Sequence, residues 1–198
     1  SRILIKFKNE EIQDVISNTI GSQAFNNGTT KVNLNLTAIE PKNLVQTLNL
    51  DVHAVSSSWD EGTGRYLNLP TSSNGASWKY RTDSTLQNEW ASTFNNVSTG
   101  SIISASILTA GGGAWYNSNG SLSDGFTGFT QQMKAGESLD IDMNLSPLVN
   151  KLVNGQTYPS HPYGIENNGF ILKLPDTIEN NVSHSLGNLQ YFSIDTHT

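Results

Sequence analysis

The sequence contains no cysteine, and only 14% of its residues are charged. Without thiols there is neither a disulfide framework nor a thiolate metal site. The 11 Lys and Arg are outnumbered by 17 Asp and Glu, for a net charge of −6. Basic residues nowhere cluster, so the electrostatic footprint for nucleic acid or an anionic membrane surface is missing. No apolar run approaches the ~20 residues that span a bilayer. There is no G-x-S-x-G elbow. The glycines before Trp115 are not followed by Gly-Lys-Ser, so they form no phosphate loop. His53, His161, His184 and His197 stand at no metalloenzyme spacing.

Asn, Ser, Thr and Gly fill the space that charge leaves. That composition suits strands with polar outer faces and many turns. A chain of 198 residues can bury one sizeable core. It opens on Ser-Arg-Ile-Leu-Ile-Lys-Phe, with no Met or leader, and stops at Tyr-Phe-Ser-Ile-Asp-Thr-His-Thr. Both ends read as strand-like. The expectation is therefore a single β-sandwich domain over residues 1–198, truncated at both ends from a longer polypeptide.

Periodicity places the elements. Ile3, Ile5 and Phe7 alternate as a half-buried strand. Ile12, Val15, Ile16 and Ile20 then fall at helical spacing, with Asn9 as the cap, predicting a short helix over about 9–20. Val32, Leu34 and Leu36, then Leu48, Leu50 and Val52, define two strands with one wet face each. Further strands are expected in "SIISASIL", "GFTGFTQQM", "NNGFILKL" and "LQYFSIDT", and another puts Leu139, Ile141, Met143 and Leu145 on one face. Ser146, Pro147 and Gly155 bound a second helix over about 147–154. Many short strands with brief helices predict an all-β, jelly-roll-like β-sandwich.

The densest stretch is "SSSWDEGTGRY", Ser56 to Tyr66. Trp59, Asp60 and Glu61 could hold a sugar by stacking and hydrogen bonds. A structural loop is the stronger reading: Trp59 buried, Glu61 accepting backbone N–H groups, Gly62 and Gly64 at positive φ, and Arg65 at the outer edge. Adjacent acids on an extended backbone point to opposite faces and make no catalytic pair. Asp140-x-Asp142-x-Asn144 mimics a calcium loop, but Leu145 and Lys151 occupy the places that need Gly and Glu. It reads as the wet face of a strand. No cofactor is assigned. A Ca²⁺ ion, as some jelly-roll modules bind, has no residues to which it can be given. Six Asn-x-Ser/Thr sequons, at Asn27, Asn35, Asn96, Asn119, Asn144 and Asn181, are what this composition produces. "GGGAWY" reads as a mobile surface loop. Trp115 and Tyr116 at its end are the best exposed ligand candidates, followed by Trp90, Tyr158 and Tyr163. Such aromatics stack on sugar rings or fill subunit contacts.

The order "ESLDIDMNLSPLVNKLVNG…ENNGFILKL" resembles the end of the DNRLRE, or disaggregatase-related, jelly-roll domains, which are similar to some carbohydrate-binding modules. Asn144-Leu145-Ser146 stands for the cap, Val149 for the inward helix residue, and Asn168-Gly169-Phe170-Ile171-Leu172 for the late strand. "SRILIKF" looks like the family's early Arg-x-x-Leu-x-Phe strand, and "SSSWDEGTG" like its Trp-x-Glu-Gly loop. Nearly the whole chain is covered in order. Lys8 replaces a common Asp, and Leu152 a common Trp. The arrangement "WDEGTGR…GASWKYR…W…YFS-x-DTHT" looks most like versions in tailed-phage virion proteins. The resemblance implies a non-catalytic structural module of a virion: a capsid decoration, neck, tail or fibre component. Its partners would be other virion proteins or further copies of itself, with no nucleic acid and no membrane. The alternative is a carbohydrate-binding adhesin module that recognises a host or polysaccharide glycan. An enzyme would need two carboxylates converging in a cleft, and no motif supplies them.

Overall fold

The computed structural model describes residues 2–26, 29–39, 47–55, 57–63, 74–90, 112–113, 115, 129–134, 136–157, 166–175, 178 and 191. Its strands form two antiparallel sheets, accompanied by a few short helices. In chain order these are β1 (Ile3–Ile5), α1 (Asn9–Asp14), a π-helical continuation (Val15–Ile20), α2 (Ser22–Asn26), β2 (Asn33–Leu36) and β3 (Leu48–Ala54). A 3₁₀ turn (Ser84–Leu86), β4 (Phe129–Met133), β5 (Ile141–Asn144), α3 (Ser146–Thr157) and β6 (Phe170–Lys173) follow.

One sheet runs β1-β6-β3-β4 and the other pairs β2 with β5. Alternation sets the faces. In β3, Leu48, Leu50, Val52 and Ala54 are buried while Asn49 is exposed. In β5, Ile141 and Met143 are buried while Asp142 and Asn144 are exposed. These inward residues join Leu34, Met133, Phe170 and Leu172 in one core, closed by Ile16 and Phe25 and by Leu148, Val149 and Leu152 of α3. Strand β6 departs from the one-wet-face pattern. All four of its residues are buried, because Ile171 enters a second cluster with Val55, Trp90 and Trp115 on the opposite face. The larger sheet is thus covered on both sides.

The expected acidic face at Asp140 and Asp142 is exposed and serves the sheets. Asp140 Oδ1 accepts from the Ala38 N–H at 2.9 Å, and Asp142 Oδ1 from Asn33 Nδ2 at 3.0 Å. A side chain also ties the two sheets at one edge. Gln131 Nε2 donates to the Asp140 carbonyl at 2.9 Å, and its Oε1 accepts from the Asp142 N–H at 2.9 Å.

Helix ends differ from the sequence expectation. Lys8, not Asn9, precedes α1, because Asn9 Oδ1 accepts from Asn167 Nδ2. Ser146 begins α3 rather than capping it. Asn144 Oδ1 accepts from the Ser146 N–H at 3.0 Å and from its hydroxyl at 2.6 Å, while Ser146 Oγ accepts from the Val32 N–H at 2.8 Å. The helix continues through Gly155 to Thr157. Phe7 is not inward but 44% exposed, edge-on to Phe170 at 6.3 Å. The segments "SIISASIL" and most of "LQYFSIDT" lie outside the described residues; Tyr191 alone of the latter bridges to Ala38.

Candidate functional site

The outer face of the larger sheet assembles a stack of indoles and cations. Strand β6 carries Ile171 and Lys173 on that face, next to His53 and Asp51 of β3 by register. Trp115 bridges to Val55 at the end of β3 and lies over this row. Its ring receives Lys173 Nζ at 5.1 Å and Arg2 Cζ at 4.8 Å, and His53 packs against it at 6.2 Å between centroids. Arg2, just before β1, also lies 4.8 Å from the Trp78 ring. The guanidinium is therefore shared by two indoles, an arrangement that its weak hydration and planar shape favour.

Backbone geometry locks this stack. Arg2 Nη1 donates to the Gly112 carbonyl at 2.7 Å, 110 residues away in sequence. Gly112 has φ 80°, and a Cβ there would run into that guanidinium and the Trp78 ring, so a larger residue has no room. The Gly112 N–H donates to the Trp78 carbonyl. Lys173 is buried, and its ammonium donates to the Leu174 carbonyl at 2.7 Å.

The stretch from 57 to 63 and the segment 74–90 brace the stack from outside. The Asp60 N–H donates to Arg81 O at 3.0 Å, and the Ala76 N–H to Asp60 O at 2.7 Å. Arg81 Nη1 donates to Ser58 O at 2.9 Å and to Ser58 Oγ at 2.8 Å. Surface charges here are locally held. Hydrogen bonds that Lys79 donates to Tyr80, then to Glu89, raise its pKa from the ordinary lysine value. The Thr85 N–H, then its hydroxyl, lower that of Asp83.

The stack revises the sequence-derived site. Trp115 and Trp90, expected as exposed platforms, are each only 4% exposed. Both sit in the second core, and Trp90 Nε1 donates to Ser77 O at 2.9 Å. Gly113 is buried beneath Ile171, so this part of "GGGAW" is packed rather than loose. Tyr116, Tyr158, Tyr163, Gly64 and Arg65 lie outside the described residues. In the Trp-Asp-Glu loop, Trp59 is half-buried, with Nε1 donating to Asn168 O at 2.7 Å. Gly62 has φ 75°, as expected. The Glu61 side chain is exposed, and its backbone carbonyl approaches Gly75 closely enough to leave no room for a Cβ there.

The tryptophan that does face solvent is Trp78, at 56% exposure. Sequence reasoning passed over it, because nothing local separates "GASWKYR" from the other tryptophan segments. Among the described residues, no group of three or more His, Asp or Glu could hold a metal ion, and no helix is long and apolar enough to cross a membrane. The chain matches no protein-family model, no curated protein and no solved structure.

Proposed function

We propose that the chain is a non-catalytic, jelly-roll-like module of a tailed-phage virion that works by packing against neighbouring chains. The exposed Trp78 indole, braced by Arg2, carries this reading. Trp and Arg are the residue types that dominate binding energy at protein contacts. An indole already held by a guanidinium loses little side-chain freedom on binding, which preserves affinity. The Trp-Asp-Glu loop adds support, since Trp59 and the Asp60 backbone are engaged in internal hydrogen bonds. The sequence resemblance supplies the virion context.

The test is a particle reconstruction combined with Trp78→Ala. Several symmetric copies are expected, each specific contact burying more than ~1,000 Å². The variant should fold normally and fail to incorporate. Normal incorporation, or a chain absent from the particle, overturns the reading. A second reading, glycan binding, rests on the same exposed indole, since such a face also stacks on sugars. Binding on a glycan array that Trp78→Ala removes would establish it.

A further inference from the structure

We infer that the core holds a binding site for a small, uncharged alkyl or aryl molecule. The site is independent of the Trp78 surface and lies on the other side of the larger sheet. A cavity of about 310 Å³ opens between α1 with its π continuation, α2, β2 and α3. That volume falls at the lower end of the range for small-molecule sites. Its interior is formed by Ile16, Phe25, Leu34, Val149, Leu152 and Phe170. These side chains are buried in the main core. Phe7 and Val15 line its mouth and are 44% and 46% exposed, so the space communicates with solvent.

The chemistry of the lining selects the ligand. Among the described residues, only two lining side chains are polar, Glu11 and Asn33. Both point their polar atoms to protein partners: Glu11 to Lys8 Nζ at 3.5 Å, and Asn33 Nδ2 to Asp142 at 3.0 Å. A polar group carried inside would find no free hydrogen-bond partner among the described residues and would lose its hydration uncompensated. A carboxylate would also approach the charge of Glu11. A fatty-acid anion is therefore disfavoured relative to a neutral hydrocarbon group. Water gains nothing from such walls, and dry apolar cavities of smaller size accept benzene or xenon.

The local backbone explains why the space exists. The helix that starts at Asn9 widens into π turns over Val15–Ile20. Ile16 and Ile20 line the cavity while Val15 stands at its rim. Single π turns recur at functional sites, and here the widened turn lies along the opening.

The experiment titrates benzene into the full 198-residue chain and follows methyl resonances and thermal unfolding. Saturable shifts are expected at Ile16, Val149 and Leu152, with Val55 and Ile171 of the second core unmoved, and the melting temperature should rise. Val149→Phe should fill the space and abolish both responses. Val15→Phe, at the exposed mouth, does the same without touching the core, should the first variant not fold. Non-saturable shifts, a response retained in a folded filled variant, or decanoate binding more tightly than benzene would each overturn the proposal. So would silence to benzene together with self-association that Val15→Lys abolishes, which would give the cavity to a second copy of the chain.

Discussion

At Gly169 the backbone turns to φ 83°, and a Cβ there would strike the Ile5 carbonyl. Both conditions exclude a side chain at the corner that aligns β6 with β1. Gly169→Ala should cost about 1–3 kcal/mol from backbone strain, with the clash adding to it, read as a lower urea midpoint. The neighbours tighten the corner further: the Gly169 N–H donates to Asn167 Oδ1 at 3.1 Å, and its carbonyl accepts from the Val55 N–H at 2.9 Å. Tyr191 gives a pH-dependent prediction. Burial, then the charge of Asp140, pushes its hydroxyl up from 10.0 to about 12, and the hydroxyl donates to Leu139 O at 3.2 Å. The fold therefore favours the neutral phenol. Its contribution is complete below about pH 10 and is lost as pH rises through about 12. Tyr191→Phe should lose less stability than the parent over that window, and the variant's phenolate absorbance should lose a component that titrates at about 12. At this scale the sequence was partly legible. The positive φ of Gly62 followed from the turn chemistry of a Gly-rich loop. The exposure of the Glu61 side chain was not legible, because a local motif does not say which of its side chains the fold will cover.

Elements were more legible than residues where a period decides them. Val32, Leu34 and Leu36, and the series Leu139 to Leu145, all face the main core, because alternation fixes a face irrespective of distant partners. Helix ends were harder to place. Asn144 and Ser146 can both cap, and the choice falls to Asn144 only because Ser146 Oγ is needed by the Val32 N–H. The link between β4 and β5 is also invisible locally. Gln131 presents its amide to the β5 backbone as a peptide group would, giving both a donor and an acceptor. Gln131→Glu keeps the acceptor and removes the donor. At neutral pH it should destabilise by about 1–3 kcal/mol, because a carboxylate then faces the Asp140 carbonyl. Relative to the parent at each pH, the loss should shrink below about pH 4, where the protonated acid can donate again. Gln131→Ala should show no such recovery in denaturant melts.

Among the described residues, two cores share one sheet, and the fates of the tryptophans follow from that. Trp115→Ala would empty the outer core beneath Arg2, Lys173 and His53, at about 3–5 kcal/mol. Trp78→Ala removes one exposed cation–π partner and should cost no more than about 1 kcal/mol. Calorimetry on the two variants checks the contrast. The outer core escaped the sequence because its parts meet only in three dimensions: Arg2 reaches Gly112 across 110 residues, and no period or motif spans that gap. Aromatic loop residues were expected outside, yet the second face of a sheet needed covering and took Trp90 and Trp115 inward. Strand β6 slots between β1 and β3, although both neighbours precede it by more than a hundred positions in the chain. During synthesis those two strands must wait with open edges until their shared partner emerges. Closure of the sheet is then a late, non-local event that slows folding. Until it occurs, the waiting edges can pair with other nascent chains, so yield in refolding should fall as protein concentration rises.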